Sequence, residues 1–292
     1  MEWDGSNWTN HGADSMPTHN PGGIAENPTN GDVAIAVNGH GLYIWDGNQF
    51  TELVAFSQSS DEPYFAMTTL AYDAQGNLYA GQVREESEII FRTIEKYDGT
   101  QWTTLKEWTS NTSLIMVADD QNNLYIAEDA SLSRYDGSSL MSMGYIDGSP
   151  IVEALAYDEN SDQLLACTDN GIAKYESSSW TLLPPVTTGT GTFVSGSCSD
   201  VAYSGQFFVS GEWHAETSEG TIEINLAQWN DYDEQWEPIG TNELCVSGDP
   251  QWCEIDRLAG GSKGLYVVGQ GFNDLGDDNY TYPGQQGAHY QF

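Results

Sequence analysis

The chain has 292 residues, room for two ordinary domains, but its 39% hydrophobic and 12% aromatic content with 31 glycines matches many short strands joined by tight turns. Eight Lys plus Arg stand against 44 Asp plus Glu, a formal net charge of −36. That balance excludes the phosphate-neutralising surface nucleic-acid binding requires and opposes contact with anionic membranes. No window approaches the ~18 apolar residues of a membrane span, and no signal peptide precedes Trp3. The expectation is the mature part of a secreted or cell-surface protein, with the signal peptide absent from this chain.

The first recognisable element is "EWDGSNWT", residues 2–9. Five further segments resemble it in chain order: "IWDGNQFTEL", "KYDGTQWTTL", "RYDGSSLMSM", "KYESSSWTLL" and "QWNDYDEQWEPI". Their leading aromatics are Trp3, Trp45, Tyr97, Tyr135, Tyr175 and Trp229. In the first five copies a second aromatic or apolar residue follows five positions later (Trp8, Phe50, Trp102, Leu140, Trp180), and the sixth carries two extra residues before Trp236. Each copy reads as two strands around a tight turn, because Asp-Gly and Ser-rich pairs supply the positive-φ positions a hairpin needs.

Upstream of these hairpins lies a second recurring pattern: "TTLAYDAQGNLYAG", "IMVADDQNNLYIA", "EALAYDENSDQLLA", "SDVAYSGQFFVSG" and "DRLAGGSKGLYVVG", with "GGIAENPTNGDVAIA" as a weaker sixth. Two apolar strands flank a polar turn in each. The full unit is four consecutive antiparallel strands, a to d, recurring about every 49 residues. Four-stranded units repeated in this way predict an all-β, single-domain β-propeller of six blades. The blades fall near 22–53, 64–105, 114–143, 151–183, 196–240, and 254–292 joined to 1–9. In the last one "HYQF" followed by "MEWDGSNWT" aligns without a gap to "FRTIEKYDGTQWT". The N-terminal strands are therefore expected to complete the C-terminal blade and close the ring.

"GLYVVGQGF", a Gly/Asp-rich insertion and then "EWDGSNWT" together resemble the LYVGG-F…IAKWDGSSW repeats of secreted bacterial propeller proteins, which are similar to repeats in fungal cortical landmark proteins. The turns "DAQGNLYAG" and "DDQNNLYIA" also resemble NHL-type and kelch-like blades. The resemblance implies the fold and an extracellular setting and carries no catalytic residue with it. "KYESSSW" lacks the Asp-Gly pair and "QWNDYDEQW" is expanded, so two copies depart from the motif.

Function is sought on the loops. The a–b and c–d turns share one face of a propeller and are short here. The b–c and d–a connections share the other face and are long, the b–c set at 84–91, 211–222 and 270–288, which makes that face the expected recognition surface. Its residues Glu212, Trp213, His214, Trp252, Tyr280 and Tyr282 combine aromatic rings with carboxylates, the chemistry that packs on sugar C–H faces and bonds their hydroxyls. Asp274, Asp277 and Asp278 offer oxygen ligands to Ca²⁺. On the innermost strands Glu153 and Asp256 share one aligned position and Asp200 and Arg257 the next, forming a candidate channel ion pair. Among the four cysteines, Cys245 with Cys253 and Cys167 with Cys198 are the candidate disulfides, free thiols being the alternative.

These features predict a non-catalytic binding or structural module, secreted or at the cell surface, that recognises a glycan or an extracellular protein as one part of a larger surface protein or assembly. A carbohydrate-active hydrolase or lyase using channel-mouth carboxylates is the second reading, and an architectural subunit of a surface filament or layer the third.

Overall fold

The structure, a computed structural model, describes residues 2–3, 8–9, 21–37, 40–55, 65–86, 88–110, 112, 114–146, 148, 151–176, 178–186, 192–217, 220–239, 254–261 and 264–270. Among the described residues there are 24 strands, all antiparallel to their neighbours, starting with the short hairpin β1 (Glu2–Trp3) and β2 (Trp8–Thr9). Blade one is β3 (Pro21–Glu26), β4 (Val33–Val37), β5 (Gly41–Trp45) and β6 (Phe50–Ala55). Blade two is β7 (Phe65–Tyr72), β8 (Leu78–Glu86), β9 (Ile89–Tyr97) and β10 (Trp102–Thr109), and blade three β11 (Leu114–Ala118), β12 (Leu124–Glu128), β13 (Ser131–Tyr135) and β14 (Leu140–Tyr145). Blade four is β15 (Val152–Asp158), β16 (Gln163–Thr168), β17 (Gly171–Glu176) and β18 (Ser179–Leu182), and blade five β19 (Thr192–Tyr203), β20 (Phe207–Thr217), β21 (Gly220–Asn230) and β22 (Gln235–Pro238). A two-stranded sheet, β23 (Glu254–Gly261) and β24 (Gly264–Gln270), completes the list.

The fold is a β-propeller, but with five four-stranded blades rather than six. The first strand of each blade touches the first strand of the next, and β23 lies between β19 and β3, so the two-stranded sheet closes the circle. Among the described residues, β1 and β2 pair only with each other and β24 has β23 as its sole sheet neighbour. The expected completion of a sixth blade by residues 1–9 is therefore corrected. Tight turns enforce pairing within each of the five blades, whereas no short loop joins β24 to residues 1–9. Without a connecting turn, nothing local sets the register of such a pairing.

Apolar blade faces pack against one another to make the core. Ala34, Ala36 and Leu42 of blade one meet Met67, Leu70 and Leu78 of blade two. Ala71, Tyr79 and Ile94 of blade two meet Leu114, Met116 and Leu124 of blade three. The second strands lie between two such interfaces, which is why β4, "VAIAV", is buried at every position instead of alternating. Contact is close where blade five meets β23, a Cβ on Gly260 coming within 1.5 Å of the carbonyl oxygen of Tyr203. A disulfide joins Cys167 of β16 to Cys198 of β19 with Cα atoms 5.5 Å apart, stapling blade four to blade five. Cys245 and Cys253 lie outside the described residues.

The repeated hairpins explain their own sequence. Asp98 Oδ1 accepts the N–H groups of Thr100 and Gln101, both at 2.9 Å, while Gly99 takes a φ of 94°. Asp46 and Asp136 do the same in blades one and three. The two aromatics then face each other across the c and d strands, Trp45 on Phe50 at 4.6 Å, Tyr97 on Trp102 at 5.0 Å and Tyr175 on Trp180 at 5.1 Å. The expanded copy keeps this stack, Trp229 on Trp236 at 5.0 Å, with Asn230 Oδ1 accepting the N–H groups of Tyr232 and Asp233 in place of the aspartate.

Candidate functional site

Two places bring chemistry-bearing side chains together: the axial channel and the face formed by the b–c hairpins. The channel has a volume of about 480 Å³ and is lined by β3, β7, β11, β15, β19 and β23. Glu153, Asp200 and Arg257 all line it, each from a different innermost strand. Asp256 lies in β23, and its side chain is outside the described residues.

Asp200 is buried and ties two sheets together. Its Oδ2 accepts the N–H of Leu258 in β23 at 2.7 Å, and its Oδ1 accepts the N–H of Val201 at 2.8 Å. Burial pushes this carboxyl up to about 6, against the opposing pull of Arg257 and the two N–H donors. Thr69 holds the equivalent position in blade two and accepts the N–H of Met116 from blade three at 3.1 Å. Gly23 holds it in blade one, with a Cβ position only 3.0 Å from the Leu70 nitrogen. This row of side chains thus faces the next blade's main chain, and at Asp200 it is engaged in joining strands. Glu153 is exposed to the channel.

Asp119 also reaches the channel from the a–b turn face. Its Oδ1 accepts the main-chain N–H groups of Gln121 and Asn123, and its Oδ2 accepts an N–H of the Asn123 side-chain amide and the O–H of Tyr125. Asp73 repeats the arrangement with Gln75, Asn77 and Tyr79, and Lys96 adds its ammonium at 3.6 Å. Burial, then the neighbouring carboxylate, pushes the Tyr79 and Tyr125 hydroxyls well above the usual phenol range, keeping them neutral donors. The sequence patterns considered above do not single out these buried turn aspartates. Their signal is the spacing Asp-x-x-x-Asn-Leu-Tyr, shared by "DAQGNLY" and "DDQNNLY".

On the opposite face, two of the long b–c loops prove to be extended ladder. β8 and β9 stay paired to Glu86↔Ile89, and β20 and β21 to Thr217↔Gly220. Alternation of β-branched and polar residues, as in "FRTIEKY" and "GTIEINLAQW", sustains the pairing. Glu212 lies exposed on β20, and His214 pairs with Ser195 and Glu223 in the ladder. Trp213 is only 4% exposed and packs in the cluster holding Cys167, Cys198, Ile224 and Trp236, so its ring is not offered to a sugar. Trp252, Asp274, Asp277, Asp278, Tyr280 and Tyr282 lie outside the described residues. Among the described residues no group of three or more His, Cys, Asp or Glu side chains is arranged to hold a metal ion.

No protein-family model matches the chain, and no curated relative matches it. Solved structures do match in fold. A chain of the nidogen/laminin complex is 15% identical with a TM-score of 0.50, covering 76% of this chain and 84% of that one. The WD40 repeats of RRP9 are 10% identical with a TM-score of 0.51, each chain covered to 94%. The soluble aldose sugar dehydrogenase of Escherichia coli is 11% identical with a TM-score of 0.52, covering 97% of this chain and 98% of that one. At these identities the likeness is one of fold, and it joins the sheet topology in showing a β-propeller.

Proposed function

We propose that this chain is a non-catalytic binding module that works in an extracellular, oxidising setting and recognises a protein partner through the face carrying the b–c hairpins. The observation that carries the reading is the overhang of blades two and five. Their b strands run nine and eleven residues against five in blades one and three. At roughly 3.3 Å per residue the extra four and six residues raise the hairpins by about 13 and 20 Å. The blade-two tip presents Ile89, 49% exposed, next to the exposed Glu88 and paired across the ladder with the exposed Glu86. An apolar point among acids suits a partner whose apolar pocket is rimmed by Lys or Arg.

Three further observations support this reading. Asp73, Asp119 and Asp200 are each engaged by several donors within the fold, leaving them poorly placed for acid–base work. Burial of Trp213 favours a protein over a glycan as the ligand. An inter-blade disulfide fits an oxidising compartment. Among the fold neighbours, the nidogen/laminin structure is a protein complex.

A photo-crosslinking residue at Glu88, compared with one at Asn48 on the opposite face, tests the proposal against extracellular protein from the source organism. Adducts with one discrete protein from position 88 and none from position 48 are expected. Equal labelling from both positions would overturn it.

A further inference from the structure

The outer edges of the blades are not equally protected. A d strand presents its free N–H and C=O groups to solvent, and proteins normally guard such an edge with charge, proline or brevity. Blade one carries Glu52 in β6, blade two Lys106 and Glu107 in β10, and blade five Glu237 and Pro238 in β22. Blade four's β18 has only four residues and runs into Pro184 and Pro185. Blade three differs: β14, "LMSMGY", has six residues, no charge and no proline, and its bulge at Met143 is matched by bulges in the edge strands of blades one and two. Its Leu140, Met141 and Tyr145 are 46%, 44% and 70% exposed. Among the described residues no strand lies beyond it in the sheet.

We propose that the outer edge of β14 is a strand-addition site for an extended, cation-bearing segment of a partner protein. The free ladder would supply main-chain hydrogen bonds, and Leu140, Met141 and Tyr145 the side-chain contacts that fix register. The cationic character of the occupant follows from charge. The strand itself is neutral and Arg134 pairs with its Met141, but Asp136 opens the turn that leads into it and Asp129 lies beside the opposite end, where Tyr145 pairs with Ser131, so the acids stand at the two ends. The whole chain carries a net −36. An apolar segment with Lys or Arg at its ends matches that pattern, whereas a second copy of this chain would bring the same excess of negative charge. The site is separate from the b–c hairpin face and stands or falls independently of it.

The probe is a fluorescein-labelled peptide, Lys-Val-Thr-Ile-Thr-Val-Thr-Ile-Lys with blocked ends, followed by anisotropy at physiological ionic strength. Saturable binding to the wild-type chain is expected. Met141→Lys should weaken it by roughly tenfold or more, and Thr51→Lys, the same charge change on the exposed edge of blade one, by less than about twofold. A peptide N-methylated at alternate amides should lose binding to a similar extent, because strand addition needs its N–H groups. Absent binding, equal effects of the two substitutions, or unimpaired binding of the methylated peptide would each overturn the proposal. So would a wild-type dimer dispersed by Met141→Lys in sedimentation velocity, which would assign the edge to a second copy.

Discussion

Replacing Asp200 by asparagine should change how stability responds to acid. In the folded chain this carboxyl titrates at about 6, above its ordinary 3.8, because burial outweighs Arg257 and the N–H groups of Leu258 and Val201. Between those two values the folded state holds a proton that the unfolded state releases, so stability must rise as the pH falls through 6 towards 4. The contribution of this one group amounts to about 2–3 kcal/mol between pH 7.5 and 3.5. The other carboxylates act in both proteins, so the difference between wild type and Asp200→Asn isolates it. Urea unfolding followed by tryptophan fluorescence at half-unit pH steps reads the effect. The wild type should gain on the variant steadily below pH 6.5. Parallel curves would refute the placement of Asp200 as a buried, strand-tying acid.

Other perturbations have equally defined outcomes. Gly260→Ala drives a methyl group into the Tyr203 carbonyl and should cost about 1–3 kcal/mol, read as a lower urea midpoint; an unchanged midpoint would deny the close approach at this junction. Replacing both Cys167 and Cys198 by alanine opens a crosslink across 31 residues and should remove about 3–4 kcal/mol, measured against the oxidised wild type. Asp98, lowered to about 2 mainly by Thr100 and Gln101, contributes stability above pH 4 that is lost as the pH falls through 2. The stability gap between wild type and Asp98→Ala should therefore be widest above pH 4 and shrink as the pH falls through 2, as seen by circular dichroism.

Local chemistry made much of the fold legible from the sequence. Asp-Gly turns flanked by aromatics five residues apart place the c–d hairpins because the Asp98 carboxylate and the Tyr97–Trp102 stack act within one turn. The "LAYD" and "LYAG" segments place the inner strands for the same reason. Blade number was not legible in this way: no turn joins β24 to residues 1–9, and a gapless alignment carries nothing that fixes the register of their pairing. The b–c connection at 84–91 reads as loop because "REESE" is an unbroken polar run, while the ladder carries the pairing to Glu86↔Ile89. Trp213 stands between the polar Glu212 and His214 in an expected b–c loop, yet a strand turns successive residues to opposite faces, and Trp213 takes the buried one. Asp200 and Arg257 were paired in sequence by register, but the bond from Leu258 across the sheet boundary appears only in three dimensions.

The central claim is that the overhanging hairpins are the recognition surface. It is tested most directly by excising residues 85–90 and joining Arg84 to Phe91 through an Asn-Gly turn, which shortens β8 and β9 towards the length of their counterparts in blade three. Biolayer interferometry against the protein captured at position 88 should show affinity reduced by roughly tenfold or more, with the thermal midpoint of the shortened chain preserved. Undiminished affinity in that folded variant would contradict the account.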